Sequence, residues 1–148
     1  MDTDEINCLL RSESMFSGCV PADGLPKTSF TSGFFVVNTD KAAEPGEHWC
    51  VVGVIEKTGI FFSSFGNPPS EKTVVNFLQR NADVWYLSSK RLQSHNSSTC
   101  GLYCVMFIRA LGKGLSMQSF LDCFDESDPR TNDVIVQNML GGCSPPLV

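Results

Sequence analysis

From Cys100 to Leu111 the chain reads Cys-Gly-Leu-Tyr-Cys-Val-Met-Phe-Ile-Arg-Ala-Leu, apolar on nearly every side of a helix. Such a helix offers water no face, so the fold has to close around it. The run is broken by Arg109 and is too short to span a bilayer. Gly112 suits its C-terminal cap. The residues before it have the opposite character: Gln93-Ser94-His95-Asn96-Ser97-Ser98-Thr99 is a polar loop. The chain therefore carries a cysteine, Cys100, out of a polar loop and into the first turn of an interior helix.

The strands around that helix follow from pattern. His48 to Glu56 is apolar on both alternating faces, which marks a central strand covered on both sides. Phe34 to Asn38 reads as a strand, followed by a polar connection from Thr39 to Glu47 with a Pro45-Gly46 turn signal. Lys57-Thr58-Gly59 reads as a tight turn into an antiparallel partner, Ile60 to Phe65, which Gly66-Asn67-Pro68-Pro69 stops. Val84 to Leu87 reads as a third core strand, with Leu92-Gln93 continuing the edge after a bend. Helices are expected from Asp4 to Arg11, with Ile6, Leu9 and Leu10 inward, and from an N-cap at Ser70 to about Arg80. Two more are expected: Met117 to Phe124 capped by Ser116, and Asn132 to Leu140 capped by Thr131 and ended by Gly141-Gly142. Gly18, Pro21, Gly24 and Pro26 mark a loop, and the tail Pro145 to Val148 is expected to fray. The layout is α+β: a small mainly antiparallel or mixed sheet packed on a central buried helix that carries the nucleophile at its N-terminus, flanked by further helices. With 148 residues, one domain over 1–148 is expected.

Composition narrows the partners. A hydrophobic fraction of 42% with 18% charged residues is that of a globular chain. The net charge of -5 works against a nucleic-acid surface, and the only adjacent basic pair, Lys90-Arg91, reads as a solvated strand end. The start, Met1-Asp2-Thr3-Asp4-Glu5, is acidic and is no secretory signal. The seven cysteines are odd in number and mostly sit in apolar segments, which suits reduced thiols in a cytosolic or nuclear setting. Cys100 and Cys104 would share a helix face, and with His48 or His95 a zinc site is conceivable. Paired short cysteine knuckles are missing, so neither metal nor cofactor is expected.

The chemistry gathers on three side chains. At the first turn of a helix, unpaired N–H groups and the positive dipole end favour a thiolate, which makes Cys100 a candidate nucleophile. Most cysteines are instead small buried hydrophobes, and Cys50, Cys104 and Cys123 read that way. His48, at the mouth of a strand, is the candidate base, with Trp49 pointing to the opposite face and into the core. His95 is the weaker candidate, since a flexible loop orients a base poorly. Gln93 is the candidate donor to an oxyanion beside the N–H of Cys100. Taken without context, His48 reads as a structural histidine and Gln93 as a solvated loop residue.

The order His, Gln, Cys excludes a papain-like arrangement and resembles the adenovirus-type cysteine proteases, of the same broad clan as the proteases of ubiquitin-like proteins. The resemblance covers roughly Asn38 to Leu111. It rests on Val37-Asn38-Thr39, Gly46-Glu47-His48-Trp49, Phe62-Ser63-Ser64-Phe65-Gly66, and the step from Gln93 to Cys100-Gly101-Leu102-Tyr103. It implies a thiol endopeptidase that cuts viral capsid or core precursor proteins, with His48 as base, Gln93 as oxyanion donor and Cys100 as nucleophile. It also implies residence in the virion and in the host nucleus or cytoplasm, without secretion or a membrane.

Three departures qualify it. The family's acid falls at Ser63, where serine can orient the ring of His48 but cannot balance its charge. Asn67 folding back is the alternative, while Glu56 lies about 26 Å along the strand from His48 and is out of reach. The family's cysteine for a disulfide-linked peptide activator falls near Ala82, so an activating peptide would bind without that bond. The family's DNA cofactor does not suit an acidic chain. Two rivals remain: an isopeptidase acting on ubiquitin-like proteins, and a non-catalytic virion protein that keeps the protease fold.

Overall fold

The alternation along Trp49–Ile55 sets the architecture: Trp49 and Val51 enter one apolar core and Cys50, Val52 and Val54 enter another on the opposite face. The computed structural model describes residues 1–39, 48–95 and 97–143, with backbone alone at 141–143. In chain order the elements are α1 (Thr3–Leu10), β1 (Phe16–Pro21), a 3-10 turn (Ala22–Gly24), β2 (Ser32–Asn38), β3 (Trp49–Ile55) and β4 (Thr58–Phe62). There follow α2 (Lys72–Asn81), β5 (Val84–Leu87), α3 (Cys100–Gly112), α4 (Met117–Leu121) and α5 (Pro129–Cys143). The five strands form one mixed sheet in the order β1-β2-β3-β4-β5, antiparallel around β3 and parallel at both edges.

The fold is α+β, as expected, with α3 as its central helix. Ten of the thirteen residues of α3 are buried. It packs on one face of β3 with α1, α4 and α5 around it, while α2 covers the other face. Phe107 stacks on Phe62 of β4 with ring centroids 4.5 Å apart, and Phe120 and Phe124 extend that aromatic cluster. No helix among the described residues is long and apolar enough to cross a membrane.

Several boundaries differ from the sequence reading. The Gly18–Pro21 loop is in fact strand β1. Gly18 takes a φ of +140 where the β1–β2 register shifts, and Pro21 ends an edge strand, where a missing N–H costs little. The hairpin turn sits at Glu56 and Lys57, with φ of 47 and 67, so Thr58 and Gly59 already belong to β4. β5 is an edge strand rather than a core one: Val84, Tyr86 and Leu87 are exposed because only β4 pairs with it. Leu92 and Gln93 form no strand; both N–H groups donate to the Ser64 carbonyl.

The helix caps are corrected in the same way. α2 begins after Glu71, not Ser70, with the Glu71 backbone still extended. α5 begins at Pro129, where Asp128 accepts from the N–H and hydroxyl of Thr131, so the cap is three residues earlier than Thr131. It continues through Gly141 and Gly142. The left-handed residue after α3 is Gly114 (φ +87), with Lys113 between it and Gly112. Ser116 does cap α4, although α4 ends at Leu121. Lys90 is not simply solvated: its Nζ donates to the carbonyls of Leu121 and Phe124. The Pro45-Gly46 turn and the Pro145–Val148 tail lie outside the described residues.

Gly53 shows how tightly β3 meets β2. A Cβ there would stand 2.2 Å from Phe34 Cδ1 and 2.5 Å from the Gly33 carbonyl oxygen. Phe34 is fully buried and has nowhere to retreat. Gly53→Ala is expected to lower stability by about 1–3 kcal/mol. Its urea midpoint beside the wild type checks this, and an unchanged midpoint would refute the packing.

Candidate active site

The end of β3 places the histidine. Thr39 donates to the His48 carbonyl from its N–H (2.9 Å) and its hydroxyl (3.3 Å), which pins His48 just before the strand begins. The ring stacks at a tilt on Phe65, centroids 5.1 Å apart, and the Arg91 guanidinium lies 5.9 Å from the Phe65 centroid. Nε2 of His48 is 3.4 Å from the Ser63 hydroxyl. Ser63 is itself fixed by Ser88, which accepts from its N–H at 3.0 Å and donates to its carbonyl at 3.3 Å. His48 and Ser63 line one cavity of ≈ 130 Å³ with Cys50, and Asn67 stands in the same wall. Cys100 and Gln93 do not line it.

The start of α3 places the thiol. Thr99 precedes the helix, yet its hydroxyl caps nothing; it donates instead to Asp133 Oδ1 at 3.1 Å. The first N–H groups of α3 are therefore not taken up by a capping side chain. The backbone N–H groups of Trp49, Gly101 and Cys100 itself favour the thiolate of Cys100. Trp49 follows His48 directly in the chain, so the start of β3 lies between the histidine and the start of α3. A Cβ at Gly101 would stand 3.1 Å from Trp49 Cδ1, so glycine there lets the helix end approach the strand. Trp49 packs into the α3-side core, as read from the sequence.

Electrostatics correct one expectation. Burial, the largest effect, raises the Cys100 thiol above its ordinary value, against the pull of the three N–H groups. The helix end thus opposes desolvation without overcoming it. Burial also pushes Cys50 up to about 12, offset in part by hydrogen bonds from the side chains of Thr39 and Ser63 and reinforced by the nearby Cys100. A thiol held neutral to about pH 12 but ionising near 9.0 when unfolded stabilises the fold fully below pH 9, and that contribution fades between 9 and 12. The loss from Cys50 is expected to be on the order of 4 kcal/mol. About a third of that loss is expected by pH 10; urea midpoints at about pH 8 and about pH 10 check it, and Cys50→Ala should make the dependence shallower.

Gln93 is not a solvated loop residue: it is 1% exposed. Its Oε1 accepts from the Ser64 hydroxyl at 2.6 Å and its Nε2 donates to the Ser97 carbonyl at 2.8 Å. A primary amide has two N–H groups, so one remains for a further acceptor. Ser97 lies three residues before Cys100, which holds the carboxamide near the start of α3. His95 is exposed and borders a different hollow, with Arg91 and Arg130. Among the described residues no group of three His, Cys, Asp or Glu side chains could hold a metal.

Sequence reading missed Ser64, Ser97 and above all Asp133. Asn132 and Asp133 are buried on α5 one turn before Val136. A polar pair at the helical spacing of an apolar stripe was the available signal.

No family model matches the chain, and no curated protein matches it. Solved structures do. Two crystal structures of the ASFV pS273R protease, one of the selenomethionine protein, superpose with a TM-score of 0.53 at 22% sequence identity over 70% of this chain. This chain spans 43% and 41% of the length of those two chains. The likeness is one of fold. It agrees with the α+β architecture, a mixed sheet against a buried helix.

Proposed function

We propose that this chain is a thiol peptidase domain in which Cys100 attacks a peptide carbonyl. What supports this reading above all is the place of Cys100 at the start of α3, where the N–H of Trp49, one residue from His48, favours its thiolate. The fold it shares with the ASFV pS273R protease is the second support. With Nε2 of His48 facing Ser63, Nδ1 would take the thiol proton as the sulfur attacks. Gln93 and the Cys100 N–H would stabilise the oxyanion, the imidazolium would protonate the leaving amine, and water would then cleave the thioester. Because the resting thiol is raised, the proton would leave during attack rather than beforehand. The substrates proposed are viral precursor proteins.

The test is hydrolysis of a proteome-derived peptide library, scored by new N-termini, with Cys100→Ala as control. New termini produced only by the wild type support the reading; identical products from both defeat it. A second reading, a protein that keeps the fold without catalysis, is favoured by the raised thiol and by serine at position 63. The Cys100→Ala comparison separates the two, and Ser63→Asp tests the part played by position 63. A carboxylate beside Nε2 should stabilise the imidazolium and raise kcat/KM about tenfold. An unchanged or lower value in a folded variant would argue against an orienting role for position 63.

A further inference from the structure

Asp133 has no part in the chemistry above, yet it is 8% exposed and accepts three hydroxyl groups. Its Oδ2 accepts from Ser94 at 2.8 Å; its Oδ1 accepts from Thr99 at 3.1 Å and from Tyr103 at 2.8 Å. Two of these donors flank the stretch that leads into α3, and the third lies one turn inside it. Burial and the neighbouring Asp133 both hold the Tyr103 phenol far above its ordinary range, so it stays a donor. The neighbouring Asn132 reinforces the grip, donating to the Leu92 carbonyl at 3.2 Å. Four hydrogen bonds from one turn of α5 thus fasten both ends of the segment from Leu92 to Tyr103.

We infer that Asp133 is a positioning residue for Gln93. The connection is short and direct. Thr99 Oγ1, bonded to Asp133, lies 2.9 Å from Ser97 Oγ, and the Ser97 carbonyl accepts from Gln93 Nε2. Ser94, the residue after Gln93, is tied to the other oxygen of the same carboxylate. Removing the charge releases both flanks of the Gln93 carboxamide while leaving its Ser64 contact. A carboxylate suits this place because it only accepts, and three hydroxyl donors converge on it. Asparagine would turn one acceptor into a donor facing a hydroxyl.

The inference rests on the peptidase reading for its catalytic meaning, and one experiment keeps the two apart. The Gln93 side-chain amide is followed by ¹⁵N NMR in wild type, Asp133→Asn and Thr99→Val, each first shown to be folded. The Gln93 pair, assigned by its loss in Gln93→Ala, is expected to exchange slowly in wild type and at least about tenfold faster in both variants. In parallel, Asp133→Asn is expected to lower kcat about tenfold or more with KM little changed, yet to have under about a twofold effect in a Gln93→Ala background. Unchanged exchange, or losses that multiply in the double variant, overturns the inference. Faster exchange in a chain whose wild type shows no hydrolysis upholds the positioning and defeats the peptidase reading instead.

Discussion

Cys100→Ala is expected to abolish peptide hydrolysis, with a loss of about a million-fold if the thiol and histidine act as a unit. Neither of the buried cysteines nearby is expected to replace it. Cys50 is close enough to Cys100 to be raised by it, but it lies on β3 with its thiol pushed up to about 12, chiefly by burial. Cys104 is fully buried one turn further along α3, and burial raises it well above its ordinary range. Neither receives the N–H groups that surround Cys100. The substitution should leave the fold intact, because alanine fits the first turn of a helix and the site is small. A hydrolysis assay with a urea midpoint measured alongside checks both halves. Retention of even a hundredth of the activity in a folded Cys100→Ala chain would remove Cys100 from the mechanism.

His48→Ala should cost nearly as much, and its pH dependence should be diagnostic. A thiol already ionised at neutral pH would need its histidine mainly for the leaving group. Here burial keeps Cys100 protonated, so the base is required for attack as well. Without His48 only solvent hydroxide can remove that proton. Residual activity of the variant should therefore climb with pH through and beyond the ordinary thiol range, about tenfold per unit, while the wild type levels off. Alkylation of Cys100 by iodoacetamide, which needs the thiolate but no leaving group, should show the same rise. A flat alkylation profile from about pH 6 upward would mean that the thiol is ionised at rest, and would reverse this assignment of roles.

The central helix and the sheet strand beside it were legible because their apolar residues recur on every face. Nothing but burial on all sides accommodates Leu102 to Ile108 or Val51 to Val54. Strand β1 was not legible: Gly18 and Pro21 are breakers in any local reading, and only parallel pairing to β2 makes Phe16–Pro21 a strand. β5 misled in the other direction. Val84-Trp85-Tyr86-Leu87 has the composition of a core strand, but its place at the sheet edge depends on where α2 delivers the chain. For the site, residue types and order pointed to His48, Gln93, Cys100 and Ser63, and the structure brings Ser63 to 3.4 Å from His48. The state of the thiol was beyond reach. Helix position argues for a lowered value, and only the surrounding atoms reveal that desolvation prevails. Asp133 was hidden because its partners lie 30 to 39 positions away in sequence.

The two halves of the site are anchored to parts of the molecule that open on different timescales. His48 hangs from the middle strand of the sheet, whose amides are bonded on both sides and should exchange only when the whole molecule unfolds. Gln93 is moored in a loop by the Ser64 hydroxyl and by the carbonyls of Ser64 and Ser97, isolated bonds that part more readily than a backbone ladder. The proposed base is therefore expected to be as permanent as the core, while the proposed oxyanion donor is the component that heat or mild denaturant would unsettle first. Such a chain would lose turnover well before it loses its fold.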